Sequence, residues 1–193
     1  MLSYSVKMYS WYTSDMKLIV GLGNPGTLHE RDRHTVGFHF LDYIYSSSEI
    51  IQPWQNSINH RAELAVIKKN DLPVKLAKPQ TYMNRSGVAV RSLINFFQIP
   101  AKQVFLVYDD LDLPLGTFKI SSKSYPKIHN GVNSVLEQCG GGMTHVRIGI
   151  DGRDGERVIP GERYVLSSFR PEERQVVKAV FDEITSALEK LLV

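Results

Sequence analysis

The chain is predicted to fold as a single-domain, three-layer α/β sandwich, with a mixed, largely parallel central sheet flanked by helices. Three observations predict this class. Short apolar, β-branched runs alternate with segments whose apolar residues recur at helical spacing, which is how strands covered by helices read in sequence. One run, VFLVY at 104–108, is continuously apolar, as expected of a strand buried on both faces. The length of 193 residues supports one sizeable core and lies only slightly above the usual single-domain size.

The first strand is Lys17–Gly21, closed by a Gly-Asn-Pro-Gly turn. A helix follows from Thr35, with Val36, Phe40, Leu41 and Ile44 on its apolar face and Thr35 available as N-cap, so His34 stands at the helix entrance. Residues 61–67 and 73–77 read as strands, and the Asn70-Asp71 pair between them favours a hairpin. The next helix carries Val90, Leu93, Ile94 and Phe97 and stops before Pro100. Residues 104–108 then give the buried strand, which runs into DDLDLPLG. Residues 117–120 give another strand, followed by the polar loop SSKSYPKIHNG and a short helix bearing Val132, Val135 and Leu136, which the glycines of CGGG terminate. Residues 146–150 form a further strand. Pro171 opens a long final helix with Val176, Val177, Val180, Phe181, Ile184, Leu188 and Leu191 along one face.

Composition narrows the function classes. No apolar run approaches the roughly 18 residues of a membrane-spanning helix. The formal net charge of +3 suits a polyanionic partner but is also common in proteins that have none. Cys139 is the only cysteine, which excludes an intrachain disulfide and a cysteine metal site and points to a reducing compartment. Residues 1–15 lack the long apolar core of a secretory leader and the arginine enrichment of a mitochondrial one; they are expected to be a flexible N-terminal extension to a domain spanning 16–193.

In sheets of this class, ligands gather beyond the carboxyl ends of the strands. That rule selects Asn24 after the first strand, Asn84 after residues 74–78, and Asp109, Asp110 and Asp112 after residues 104–108, with His34 and the His129-Asn130 pair at nearby helix entrances. A histidine bonded to a buried carboxylate is held in one tautomer and made a better base, leaving its other nitrogen to take a proton from water. His34 with Asp109 fits that requirement. The competing readings are a capping histidine, an aspartate turn pair and an ordinary Asn-Pro turn. No serine lies in a Gly-x-Ser-x-Gly elbow and Cys139 has no evident activating partner, so water is the expected nucleophile. The amides of Asn24 and Asn84 could donate to a carbonyl oxygen as it gains charge, a contribution of about 3 to 4 kcal/mol when aligned. The Gly21-Leu22-Gly23 turn lacks the third glycine of a dinucleotide fingerprint. His29, His34 and His39 are spaced by five and do not share a helix face, so no metal is expected.

The segments LIVGLGNPG, RHTVGF, KPQTYMNRSG, YDDLDLPLG, HNG, RIGI and YVLSSF, in this order and spacing, resemble the bacterial-type peptidyl-tRNA hydrolase family over nearly everything from Lys17 to the last helix. The resemblance implies an enzyme that cleaves the ester between a peptide and tRNA during translation, with peptidyl-tRNA as its partner, no cofactor and no membrane, acting as a monomer. It implies that His34 is the general base and that Asp109 orients it. It further implies that Asn24 and Asn84 hold the substrate carbonyl and terminal nucleotide, that Tyr82 and Met83 line the peptide groove, and that Asn130 positions water or peptide backbone.

Two departures from the family pattern stand out. His29 replaces a tyrosine associated with the tRNA end, and SSKSYPKI replaces a glycine-rich approach to His129. Ser121 stands at a family lysine position, so Lys119, Lys123 and Lys127 with Arg147 are the expected contacts for acceptor phosphates. A bacterial cytoplasmic location is expected, with mitochondrion or plastid as the alternative. The rival function is a catalytically altered relative that serves as an RNA-processing scaffold.

Overall fold

The computed structural model describes residues 16–192 apart from 154 and 157; the expected extension at 1–15 lies outside the described residues. Seven strands form one sheet: β1 (Lys17–Gly21), β2 (Glu49–Ser57), β3 (Ala62–Lys69), β4 (Leu72–Pro79), β5 (Val104–Pro114), β6 (Phe118–Ser121) and β7 (Thr144–Asp151). Their order across the sheet is β2-β3-β4-β1-β5-β7-β6. The central strands β4, β1, β5 and β7 run parallel, while β2, β3 and β6 pair antiparallel. Helices α1 (Val36–Ser46) and α5 (Pro171–Glu189) cover one face, and α2 (Ser86–Phe97) and α3 (Asn130–Cys139) the other; a short α4 (Gly161–Val165) precedes α5.

Strand alternation divides the apolar residues between two cores. Ile19, Phe105, Val107, Val146 and Ile148 meet Phe40, Leu41, Val180 and Phe181 on the α1/α5 side. Leu18, Val20, Leu106 and Tyr108 meet Val90, Leu93, Val132 and Val135 on the other. The β3–β4 hairpin turns at Asn70 and Asp71, both in the left-handed region (φ 48° and 61°), the geometry of a tight hairpin that these residue types tolerate.

Four expectations are corrected. β5 does not end at Tyr108 but continues through Asp109, Asp110 and Asp112 to Pro114, held by pairing with β7. Thr35 makes no side-chain cap for α1; its Oγ1 instead accepts the backbone N–H of Asn24 at 3.4 Å. Val176 and Leu191 are 40% and 46% exposed, so the buried stripe of the last helix is narrower than its apolar spacing suggests. The strand β2, whose residues are mostly exposed, has no counterpart among the expected elements.

Gly21 at the end of β1 and Gly37 in α1 serve close packing. A Cβ on Gly21 would lie 2.3 Å from the Gly37 carbonyl oxygen, and one on Gly37 would lie 2.4 Å from the Val107 oxygen. Two glycines thus let α1 settle directly on β1 and β5, which carries His34 to the end of β5.

Candidate active site

The carboxyl ends of the parallel strands open into a cleft of about 1100 Å³ whose walls include Asn24, His34, Tyr82, Met83, Asn84, Asp109, Asn130 and Arg147. Its centre is Asp109, 2% exposed. One oxygen, Oδ1, accepts from His34 Nδ1 at 2.8 Å and from His129 Nε2 at 3.1 Å. The tautomers follow from the partners. His129 is the N-cap of α3, where its Nδ1 accepts the Val132 N–H at 3.2 Å, so its proton resides on Nε2 and points to Asp109. His34 donates through Nδ1 and keeps the Nε2 lone pair.

Electrostatics follow the geometry. Burial alone would push the Asp109 carboxyl up, but the two imidazoles outweigh it and hold the group well below the usual carboxylate range. Burial likewise works to lower the pKa of His34, yet the charge and hydrogen bond of Asp109, with a smaller contribution from Asp32, leave it raised above 6.5.

Asn24 is 8% exposed, and its Oδ1 accepts the Met83 N–H at 2.8 Å. That bond fixes the amide orientation and reserves Nδ2, a donor, for the cleft. Met83 is buried, whereas Tyr82, Asn84 and Asn130 are exposed at the cleft wall. His29 does not line the cleft: its Nδ1 is 2.8 Å from Asp32 Oδ2 and its ring meets Tyr82 edge-on, centroids 6.4 Å apart.

The expected phosphate set divides. Lys119, Lys123 and Lys127 are exposed. Arg147 is not a surface cation: it is 8% exposed, and its Nε bonds Asp110 Oδ2 at 2.5 Å at the cleft wall. The reason is strand alternation, which turns Asp110 and Arg147 to the same side of neighbouring strands while Asp109 faces the imidazoles. In the altered loop, Ser121 Oγ accepts the N–H groups of Lys123 and Ser124, Pro126 is buried, and Tyr125 packs on His145 with centroids 5.1 Å apart. His145 in turn meets the Tyr108 hydroxyl at 2.9 Å, and burial together with nearby Arg147 lowers its pKa to about 4.

Sequence reasoning missed Arg33. Its guanidinium lies between the rings of Tyr164 and Phe169, 4.3 and 4.6 Å from their centroids, and bonds Glu173 Oε2 at 2.6 Å. The same oxygen accepts the Arg170 N–H at the start of α5. The turn that carries His34 is therefore tied to the last helix; the only sequence signal was an arginine beside the candidate base.

Among the described residues, the group with enough ligand atoms close together for a metal ion is His34, Asp109 and His129. The separations from Asp109 Oδ1 to the two ring nitrogens are those of hydrogen bonds, which already use the lone pairs and protons concerned. Cys139 lies away from the cleft and burial pushes its thiol up to about 11, the opposite of an activated nucleophile.

An α/β sandwich with a carboxylate-buttressed imidazole and amide donors at its sheet rim has the composition of a hydrolase site. The chain belongs to the peptidyl-tRNA hydrolase family, whose profile matches residues 18–193. It is 38% identical over 180 residues to a peptidyl-tRNA hydrolase of Aquifex aeolicus, covering 92% of this chain and 91% of the relative. It is 32% identical to the chloroplastic group IIB intron splicing facilitator CRS2-B of Arabidopsis thaliana, covering 91% of this chain and 72% of that protein. The crystal structure of peptidyl-tRNA hydrolase from Acinetobacter baumannii superposes with a TM-score of 0.81 at 31% identity, covering 94% of this chain and 90% of that one. No helix among the described residues is long and apolar enough to cross a membrane.

Proposed function

We propose that the chain hydrolyses the ester joining a peptide's terminal carboxyl to the ribose of tRNA. His34 Nε2 takes a proton from water, and the resulting hydroxide attacks the ester carbonyl carbon. Negative charge collects on the carbonyl oxygen, where the Asn24 Nδ2 donor stabilises it, with Asn84 beside it. Collapse breaks the bond to the ribose oxygen, which receives the proton from His34. The products are tRNA with a free ribose hydroxyl and a peptide carboxylic acid, which ionises to the carboxylate by releasing its proton to solvent. Asp109 holds His34 in the productive tautomer and steadies the imidazolium. Met83 and Tyr82 border the acyl side, Asn130 orients peptide backbone or water, and Lys119, Lys123 and Lys127 attract acceptor phosphates. The protein acts as a monomer wherever translation proceeds, in the cytoplasm or in an organelle.

The observation that carries this reading is the 2.8 Å bond between His34 Nδ1 and the buried Asp109, with the rest of the imidazole at the cleft. A scaffold without activity, the reading favoured by the likeness to a splicing facilitator, has no need of that pair. The test is hydrolysis of peptidyl-tRNA, aminoacyl-tRNA and a simple ester at two salt concentrations. Preferential, salt-sensitive cleavage of peptidyl-tRNA is expected, falling by about 10² to 10⁴ in His34→Ala while tRNA affinity is kept. Undiminished turnover in that variant removes His34 from the mechanism, and a wild-type protein that binds RNA without cleaving it favours the scaffold.

A further inference from the structure

The outward face of α2 and the turns that flank it carry cations that form no ion pair among the described residues. Ser86, Gly87, Ala89, Val90 and Leu93 face inward, which leaves Val88, Arg91, Ser92, Asn95 and Phe96 along the opposite side at helical spacing. Arg85 immediately precedes the helix, and Lys102 follows it in the turn before β5; both are exposed. Alongside runs the turn before β3, because His60 Nδ1 meets Ser92 Oγ at 2.8 Å and its ring packs against Phe96, tilted by 50° with centroids 4.5 Å apart. That turn exposes Arg61.

Charge is segregated across the molecule. Between residues 72 and 108 the chain contains no aspartate or glutamate. Toward the other layer, Lys78 is paired with Asp42, Lys69 with Glu189, Lys68 with Glu49 and Asp71, and Arg33 with Glu173. Among the described residues, Arg61, Arg85, Arg91 and Lys102 have no ion-pair partner. Unmatched cations on one face project a positive potential for about 8 Å at physiological salt and draw in polyanions. The helix starts beside Asn84 at the cleft and, with 12 residues at about 1.5 Å each, extends roughly 18 Å away from it.

We propose that the outward face of α2, with Arg61 and Lys102 at its margins, is a second RNA-contact surface that carries the phosphate backbone of the substrate's tRNA body as it leaves the cleft. This surface lies apart from Lys119, Lys123 and Lys127, and it rests on the peptidyl-tRNA reading above. Recognition there is through backbone charge and carries no base sequence.

The test is a triple variant, Arg61→Gln, Arg91→Gln and Lys102→Gln, which leaves Asn84 and the cleft intact. Against full peptidyl-tRNA near 0.15 M salt, kcat/KM is expected to fall about 10-fold or more, and the slope of its logarithm against log salt should become shallower by about 1 for each phosphate no longer neutralised. Cleavage of an N-acylaminoacyl ester of adenosine, which has no tRNA body, should be unchanged. Equal kcat/KM and equal slope for variant and wild type on peptidyl-tRNA would overturn the surface. Binding of deacylated tRNA separates this from the fate of the esterase reading: even if the wild type cleaves neither ester, weaker and less salt-dependent binding by the triple variant supports the surface, and equal binding overturns it. If Phe96→Ala weakens tRNA binding and the triple variant does not, the phosphate assignment is overturned in favour of an apolar contact.

Discussion

At the scale of single residues, the site is organised by one carboxylate oxygen that accepts two imidazole protons. The His129 tautomer is fixed from behind by the Val132 N–H, and the Asn24 amide by the Met83 N–H, so each side chain is oriented before substrate arrives. Such prior orientation is what lets a donor stabilise developing charge without reorganising. Replacing Asn24 by aspartate keeps an acceptor for Met83 but removes the donor. Asn24→Asp is therefore expected to lower kcat by about 10² to 10³ with little change in KM, measured on peptidyl-tRNA. A change confined to KM would show that Asn24 serves binding instead. His34 and Asp109 were legible as candidates by residue type and by their places at strand and helix ends. Their contact was not, because 75 positions separate them. Arg33 and Glu173, 140 positions apart, gave no pairing signal.

At the scale of elements, legibility followed burial. β1 and the β3–β4 turn could be read because an apolar run and an Asn-Asp pair each specify local backbone geometry. β2 could not: it is a polar edge strand interrupted by Pro53, with register shifts against β3, which are features that protect a sheet edge and also erase the alternation a strand signal needs. The extension of β5 past Tyr108 was hidden for a related reason, since it is set by pairing with β7 and not by its own apolar content. The packing of α2 on α3 depends on Gly87, where an added Cβ would stand 2.0 Å from the Ser134 carbonyl oxygen. Backbone cannot yield there as a flexible side chain could. Gly87→Ala is expected to destabilise the fold by about 1 to 3 kcal/mol or more, read by urea denaturation. It should also reduce activity, because α3 presents His129 to Asp109.

For the whole molecule, the Arg33–Glu173 pair links the first helix entrance to the last helix. Glu173→Ala leaves a guanidinium buried between two aromatic rings and is expected to cost about 3 to 5 kcal/mol in chemical denaturation; a loss below about 1 kcal/mol would show that the pair is dispensable. The dependence of stability on pH follows from the same groups. Burial disfavours the charged forms of Asp109 and Glu173, but their partners prevail and both carboxyls sit below their ordinary values. Their contribution is complete above about pH 5 and is lost as pH falls through the folded values. His34, raised above 6.5, contributes stability that is fully present below that pH and is lost as pH rises through its folded value. The conformational stability is thus expected to fall on acidification below about pH 4 and to decline slightly through the His34 titration, as followed by urea midpoints against pH.

The central claim is that His34 acts as a base whose proton affinity is set by Asp109, and the pH profile of kcat/KM tests it most directly. In the wild type, activity on peptidyl-tRNA should rise with pH through a value above 6.5, as the imidazole becomes neutral. In Asp109→Asn the charge that raises His34 is gone and burial dominates, so the same limb should move to lower pH while the plateau falls by about 10² or more. An unshifted limb in Asp109→Asn, or a wild-type profile without it, would contradict the account.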